Sequence, residues 1–337
     1  MKSVQLGVYS LGHFWVDFSC ALLLFSCVLG RPEWHMCVLL YNFCAFALQM
    51  PIGLLCDRLN RNSSAACIGC VLVALGWGMR QVPLAAAVLA GMGNALFHVG
   101  GGIDVLNASR ERSAALGIFV SPGALGIWLG TLMGKENAVP WLLPAAGLAL
   151  FGGAFLLTDW LMGGDLRSDN APVCLDMPPW ELWALVCCFV VVVLRSLLGM
   201  IFAFPWKTGI WAVAAVGAVV LGKAAGGFLG DAIGMRKTAA VSLGLCAVLF
   251  LFSENPWMGM AAIFLFNMTM PVTLWAAAKW LPGGKGLAFG LLTFALFLGF
   301  LPVYLGWQPL FSEGLYAAGA LASLGLLVLG LRWGRLK

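Results

Sequence analysis

GLLCDRLNR, from Gly53 to Arg61, and GFLGDAIGMRK, from Gly227 to Lys237, are two versions of one pattern. Gly53 aligns with Gly227 and Asp57 with Asp231 at a single offset. That offset also carries the second apolar run of the first half of the chain onto the second apolar run of the second half. A frame shared over this length marks an internal duplication. In each copy an apolar run ends in an acid followed by basic residues, which reads as a helix leaving a membrane. The glycine permits close approach of a neighbouring helix. The aspartate at the helix end can pair with an arginine or with another helix terminus, so the motif would act as a latch. A generic helix cap with basic flanks would look the same in either copy alone; two copies in one frame argue against it.

Outward from these motifs, apolar runs punctuated by charge, Pro or Gly fall near residues 5–29, 35–56, 64–80, 83–103, 113–134 and 139–161. The polar stretch GGDLRSDNAPVCLDMPPWE, from Gly163 to Glu181, follows with the composition of a linker. Six further runs lie near 182–204, 209–230, 238–253, 256–278, 286–306 and 314–331. The division is therefore a six-helix half over 1–162, a linker over 163–181 and a second six-helix half over 182–337. The first run has only Lys2 ahead of it, carries His13 and Asp17 and lacks a cleavage site, so it reads as a retained helix.

Composition agrees. Of 337 residues, 62% are hydrophobic and 10% charged, with a mean hydropathy of +0.96, against about 25% charged in soluble domains. With about 20 apolar residues per crossing, roughly twelve helices fit if the loops are short. Counting alternate loops, one side collects Lys2, Arg58, Arg61, Arg110, Arg112, Arg167, Arg236, Lys237, Lys279, Lys285, Arg332, Arg335 and Lys337. The other side has Arg31, Arg80, Lys135 and Lys207. This asymmetry predicts that both termini and the linker are cytoplasmic, in a multi-pass protein of the inner cell membrane. The net charge of +5 is scattered singly through loops, which excludes a nucleic-acid partner and leaves the lipid bilayer as the main one. Most of the eleven cysteines lie inside apolar runs and read as reduced core residues. The single Cys67-Ile-Gly-Cys70 pair has no second pair to complete a metal site.

The duplicated motif resembles the loop signature of the major facilitator superfamily, Gly-x-x-x-Asp-Arg/Lys-x-Gly-Arg/Lys. Gly53, Asp57, Arg58 and Arg61 match it, with Asn60 where the family prefers Gly. In the second copy Gly227, Asp231, Gly234 and Arg236 match, and Ala232 replaces the basic residue. The resemblance spans essentially the whole chain. It implies an all-α membrane protein of about twelve transmembrane helices in two parallel six-helix repeats, working by alternating access around a site near the midplane. A narrower resemblance, carried by LGHFWVDF (Leu11 to Phe18) and GNALFHVGGG (Gly93 to Gly102), is to the fosmidomycin-resistance-like exporters. The chain departs from that branch at Val99, where Pro is expected.

Ionisable groups inside spans are costly and usually face a cavity or a partner. His13 and Asp17 are four residues apart on one helical face, suited either to proton exchange or to holding the first helix against a neighbour. Asn94 and His98 repeat the spacing on the fourth helix as a polar wall opposite the first, His98 as a further proton-coupling candidate and Asn94 as a substrate-cavity candidate, or else as satisfied buried groups. Arg195, in mid-helix, is expected to bind an anionic substrate group or to act as counter-ion to Asp17, whereas Lys223 can snorkel. Asn267, Thr273 and Trp275 beside Pro271 suggest an interrupted tenth helix that either lines a transport site or packs helices. Gly126, Gly130 and Gly134 form a small-residue ridge on a fifth helix containing Pro122, of a kind found in exporting family members.

The resulting expectation is a monomeric secondary transporter of a small molecule, coupled to protons and exporting a drug or metabolite. A nutrient symporter of the same fold, for a sugar or organic acid, is the alternative. A membrane-embedded enzyme is disfavoured, since no HExxH, paired CxxC, P-loop or GxSxG is present. No cofactor and no metal are expected.

Overall fold

The computed structural model describes residues 2–109, 112–137, 139–162, 173, 176–307 and 312–334. Among them all regular structure is helical. The helices are α1 Ser3–Val28, α2 Trp34–Leu59, α3 Asn62–Gly78, α4 Pro83–Ala108, α5 Ser113–Lys135, α6 Leu142–Leu161, α7 Pro179–Ile201, α8 Gly209–Ile233, α9 Met235–Phe250, α10 Pro256–Trp280, α11 Lys285–Tyr304 and α12 Glu313–Trp333. Ten of them are long and apolar enough to cross a membrane; α3, with 17 residues, and α9, with 16, are shorter. Helices satisfy their own backbone polar groups, which a hydrocarbon solvent demands. The chain is thus a multi-pass membrane protein, and apolar side chains such as Leu150, Ile210, Leu221 and Val248 face outward. The linker expected over 163–181 lies largely outside the described residues.

Local chemistry sets the ends and bends. Proline opens α4, α7 and α10, where its missing N–H costs nothing. Asn255 caps α10 by accepting from the N–H groups of Trp257 and Met258, and Ser312 caps α12 through Leu315. A π-helical turn ends α1 at Leu24–Val28, another interrupts α2 at Phe43–Ala47, and α10 breaks at Met268. The fourth helix runs to Ala108, past the sequence-based end near 103, which brings Asp104 inside it.

The chain divides into two compact units. One comprises Met1–Arg110, Pro122–Val173 and Pro282–Phe294; the other comprises Glu111–Ser121, Cys174–Leu281 and Ala295–Lys337. Helices α5 and α11 are therefore each divided, the first near Pro122 and the second after Phe294. In the first unit α3 and α4 are in backbone contact: a Cβ on Gly69 would strike the backbone of Gly93 and Phe97, and one on Gly100 would strike Asn62 and Ala66. In the second unit α8 lies equally close to α10, with Gly222 against the Phe264 carbonyl and Gly226 against that of Met268.

Candidate functional site

The i, i+4 spacing on α1 places His13 and Asp17 side by side, with Nε2 of His13 3.2 Å from Oδ2 of Asp17. Helix α4 brings the same spacing to meet them. The Asn94 amide donates to Asp17 Oδ1 at 2.8 Å, and His98 Nε2 lies 2.9 Å from His13 Nε2 and 3.7 Å from Asp17 Oδ1. All four residues are buried. Nδ1–H of His98 donates to the Asn94 carbonyl at 2.8 Å. A carbonyl can only accept, so in the neutral ring Nε2 presents its lone pair to His13 and Asp17. Two imidazoles and a carboxylate thus form one continuous polar cluster.

Aromatic and glycine packing enclose it. Phe97 meets both imidazole rings edge-on, with centroids 6.0 Å from His13 and 5.3 Å from His98, and it leans on Phe155. The Pro122–Lys135 part of α5 covers the other side. A Cβ on Gly123 would fall within contact distance of His13 Nε2 and Asp17 Oδ2. Further along α5, Gly126 and Gly130 rest on the α1 backbone at Phe14 and Phe18, and Gly134 meets Leu22 and Phe25. The ridge seen in the sequence is the track along which α5 lies on α1.

A second buried carboxylate in this unit escaped the sequence reading. Asp104 accepts from Tyr9 Oη at 2.6 Å, and the Tyr9 ring stacks on Phe155 at 4.8 Å. Asp104 also lines a polar cavity of about 170 Å³ together with Asn60, Arg61, Asn62, Ser63, Ser64 and Asp159. The available signal was an acid directly after the apolar run that ends near 103, in GGGIDVLNAS, four residues before the helix ends at Ala108.

In the second unit Arg195 is buried on α7, and its Nη1 reaches Thr273 Oγ1 on α10 at 3.4 Å. Thr273 in turn donates along its own helix to the carbonyls of Thr269 and Met270. Asn267 closes back onto the Ile263 carbonyl at 2.9 Å, and the Trp275 ring lies 5.6 Å from Lys279 Nζ. Arg195 and Thr273 come together, while Asn267 and Trp275 each have local contacts. Lys223 Nζ donates to the Val120 carbonyl at 3.3 Å.

The duplicated motifs end in equivalent contacts, one inside each unit. Asp57 accepts from the backbone N–H groups of Gly286 and Leu287 at 2.7 and 2.8 Å, at the start of α11, where Gly53 also meets Gly286. Asp231 accepts from Ser113 N at 2.7 Å, Ser113 Oγ at 2.9 Å and Ala114 N at 3.1 Å, at the start of α5, where Gly227 meets Ser113. Of the two partners the sequence offered, the aspartates hold helix termini. Arg58, Arg61 and Arg236 are exposed. Asn60 closes α2 at φ +52°, and Gly234 closes α8 at φ +92°.

No family model matches this chain, and no curated relative does. Solved structures match it over nearly its whole length. The outward-conformation structure of FucP, a major facilitator superfamily transporter, is 13% identical over 98% of each chain with a TM-score of 0.66. The human organic anion transporter MFSD10 is 16% identical, covers 99% of this chain and 97% of its own, and scores 0.64. A bacterial homologue of the iron transporter ferroportin is 13% identical over 98% and 99%, scoring 0.62. The chain has the major facilitator fold.

Proposed function

We propose that the protein is a secondary active transporter that exports a small molecule from the cytoplasm in exchange for protons, by alternating access across the cytoplasmic membrane. The full-length likeness to transporters of this fold supports the class. The observation that carries the coupling is the buried His13–Asp17–His98 cluster with its Asn94 support. An imidazole beside a carboxylate exchanges protons near neutral pH, and the neighbouring fold of FucP belongs to a fucose:proton symporter. Export rests on the resemblance of the His13/Asp17 and Asn94/His98 motifs to the fosmidomycin-resistance-like branch, and on the glycine track of α5.

Asp57 and Asp231 act as twin latches in this reading, each neutralising the positive end of a helix, α11 or α5. Arg195 is the anion-binding group of the substrate cavity, with Thr273 as its support; Asn267 and Trp275 complete the candidate lining. The likeness to a protein named as an organic anion transporter points the same way. Both termini and the linker face the cytoplasm, and the working unit is a monomer.

Purified protein in liposomes containing a pH-sensitive dye provides the test. A panel of amphipathic and anionic compounds should include some that drive proton movement through the native protein and none that do so through Asp17→Asn. Native protein that moves neither protons nor any compound would remove the proposal. Proton movement in the same direction as the compound would instead identify the nutrient symporter.

A further inference from the structure

His13 Nε2, a carboxylate oxygen of Asp17 and His98 Nε2 all lie within 4.8 Å of one another, and all three residues are buried. Their separations can be compared with the edge of a coordination polyhedron. A tetrahedral ion with bonds of about 2.0–2.1 Å spaces its ligand atoms about 3.3–3.4 Å apart. The two imidazole nitrogens are 2.9 Å apart, His13 Nε2 is 3.2 Å from Oδ2 of Asp17 and His98 Nε2 is 3.7 Å from its Oδ1, so each imidazole faces the carboxylate at a separation close to that edge.

The surroundings suit the role. His98 is held in the tautomer that exposes Nε2 by its bond to the Asn94 carbonyl, the outer-shell arrangement that metal-bound imidazoles use. The Asn94 amide fixes the carboxylate from outside at 2.8 Å. On the α5 side, Gly123 presents no side chain to His13 Nε2 or Asp17 Oδ2, where a Cβ would crowd both. Three protein ligands leave a fourth position for water or another small ligand. Two imidazoles and one carboxylate select against Mg²⁺ and Ca²⁺, which prefer oxygen alone, and against Cu⁺, which prefers sulfur.

We infer that His13, Asp17 and His98 form a binding site for a divalent transition-metal ion of the Zn²⁺, Co²⁺ or Fe²⁺ class, with Asn94 as its positioning residue. This goes beyond proton coupling and needs only the ligand geometry.

Co²⁺ titrated into the purified full-length protein in detergent, followed by visible absorption and equilibrium dialysis, tests the site. One Co²⁺ per chain is expected, with the intense visible bands of a tetrahedral ion, displaced by Zn²⁺ and not by Mg²⁺. Asp17→Asn and His98→Gln should abolish the bands, and Asn94→Ala should weaken binding about 10–100-fold. Thermal unfolding of each variant checks that it folds. X-ray absorption of the Zn²⁺-loaded native protein is independent of any variant and should show a nitrogen and oxygen shell with imidazole scattering. Absence of Co²⁺ binding, sulfur in the Zn²⁺ shell, or binding that survives both substitutions in folded protein would overturn the site. Co²⁺ binding in a protein that moves no protons would leave the site standing and remove the transport reading; the converse result would do the opposite.

Discussion

Replacing Asp57 with Ala should loosen the start of α11 by an amount that can be worked out in advance. The half-buried carboxylate accepts two backbone N–H groups at 2.7 and 2.8 Å. Those amides belong to the first turn of a helix, where no internal acceptor exists. Removing a capping oxygen costs about 0.5–2 kcal/mol, and removing a negative charge from a partly buried helix N-terminus costs up to about 2 kcal/mol. A combined loss of about 2 kcal/mol corresponds to about a 30-fold change in an equilibrium constant. Hydrogen–deuterium exchange of the segment 282–294, read by mass spectrometry, reports local opening directly. The Gly286 and Leu287 amides should exchange about 30-fold faster in Asp57→Ala. Asp57→Asn keeps an oxygen but loses the charge, and should show roughly half that free-energy change. The segment 113–121, capped by Asp231, should be unaffected. Unchanged protection at Gly286 and Leu287 would refute the capping argument and, with it, the latch.

Gly126→Ala should lower the thermal unfolding temperature by an amount equivalent to about 1–3 kcal/mol, because its Cβ meets the α1 backbone at Phe14 and Phe18. Gly217→Ala, with nothing within 4 Å, should be neutral or slightly stabilising; equal effects would contradict the packing of α5 on α1. Tyr9→Phe leaves the buried Asp104 carboxylate without its 2.6 Å donor and should cost about 1–3 kcal/mol in the same assay. A change below about 0.5 kcal/mol would mean that the bond contributes nothing net. Arg195→Met should abolish stabilisation by anionic compounds in a thermal-shift screen while sparing neutral ones. Unchanged stabilisation by the anions would move the substrate site elsewhere.

The helices and their order were legible because membrane spans announce themselves by apolar length, and the repeat because Gly and Asp recur in one frame. Partners were harder to see. The acceptor role of Asp57 toward Gly286 and Leu287 joins residues far apart in the chain, and nothing near position 286 marks it as a socket except the start of an apolar run. The His13–Asp17 pair was readable from spacing alone, as was the Asn94–His98 pair. Their meeting depends on α1 packing against α4. Asp104 was missed because the apolar run was ended at 103, one residue too early to count the acid as internal. Its partner Tyr9 carries no charge that would have drawn notice.

The corner between α2 and α3 and its counterpart between α8 and α9 illustrate how duplicates grow apart. Asn60 occupies the ordinary left-handed region at φ +52° and ψ +41°, which asparagine tolerates. Gly234 sits at φ +92° and ψ +152°, a region essentially reserved for glycine. Glycine could therefore return to position 60 at little cost, whereas asparagine at 234 would incur about 1–3 kcal/mol of strain. Exchange between the two copies runs in one direction only. The two bends occupy equivalent places in the repeat but are not interchangeable in backbone conformation.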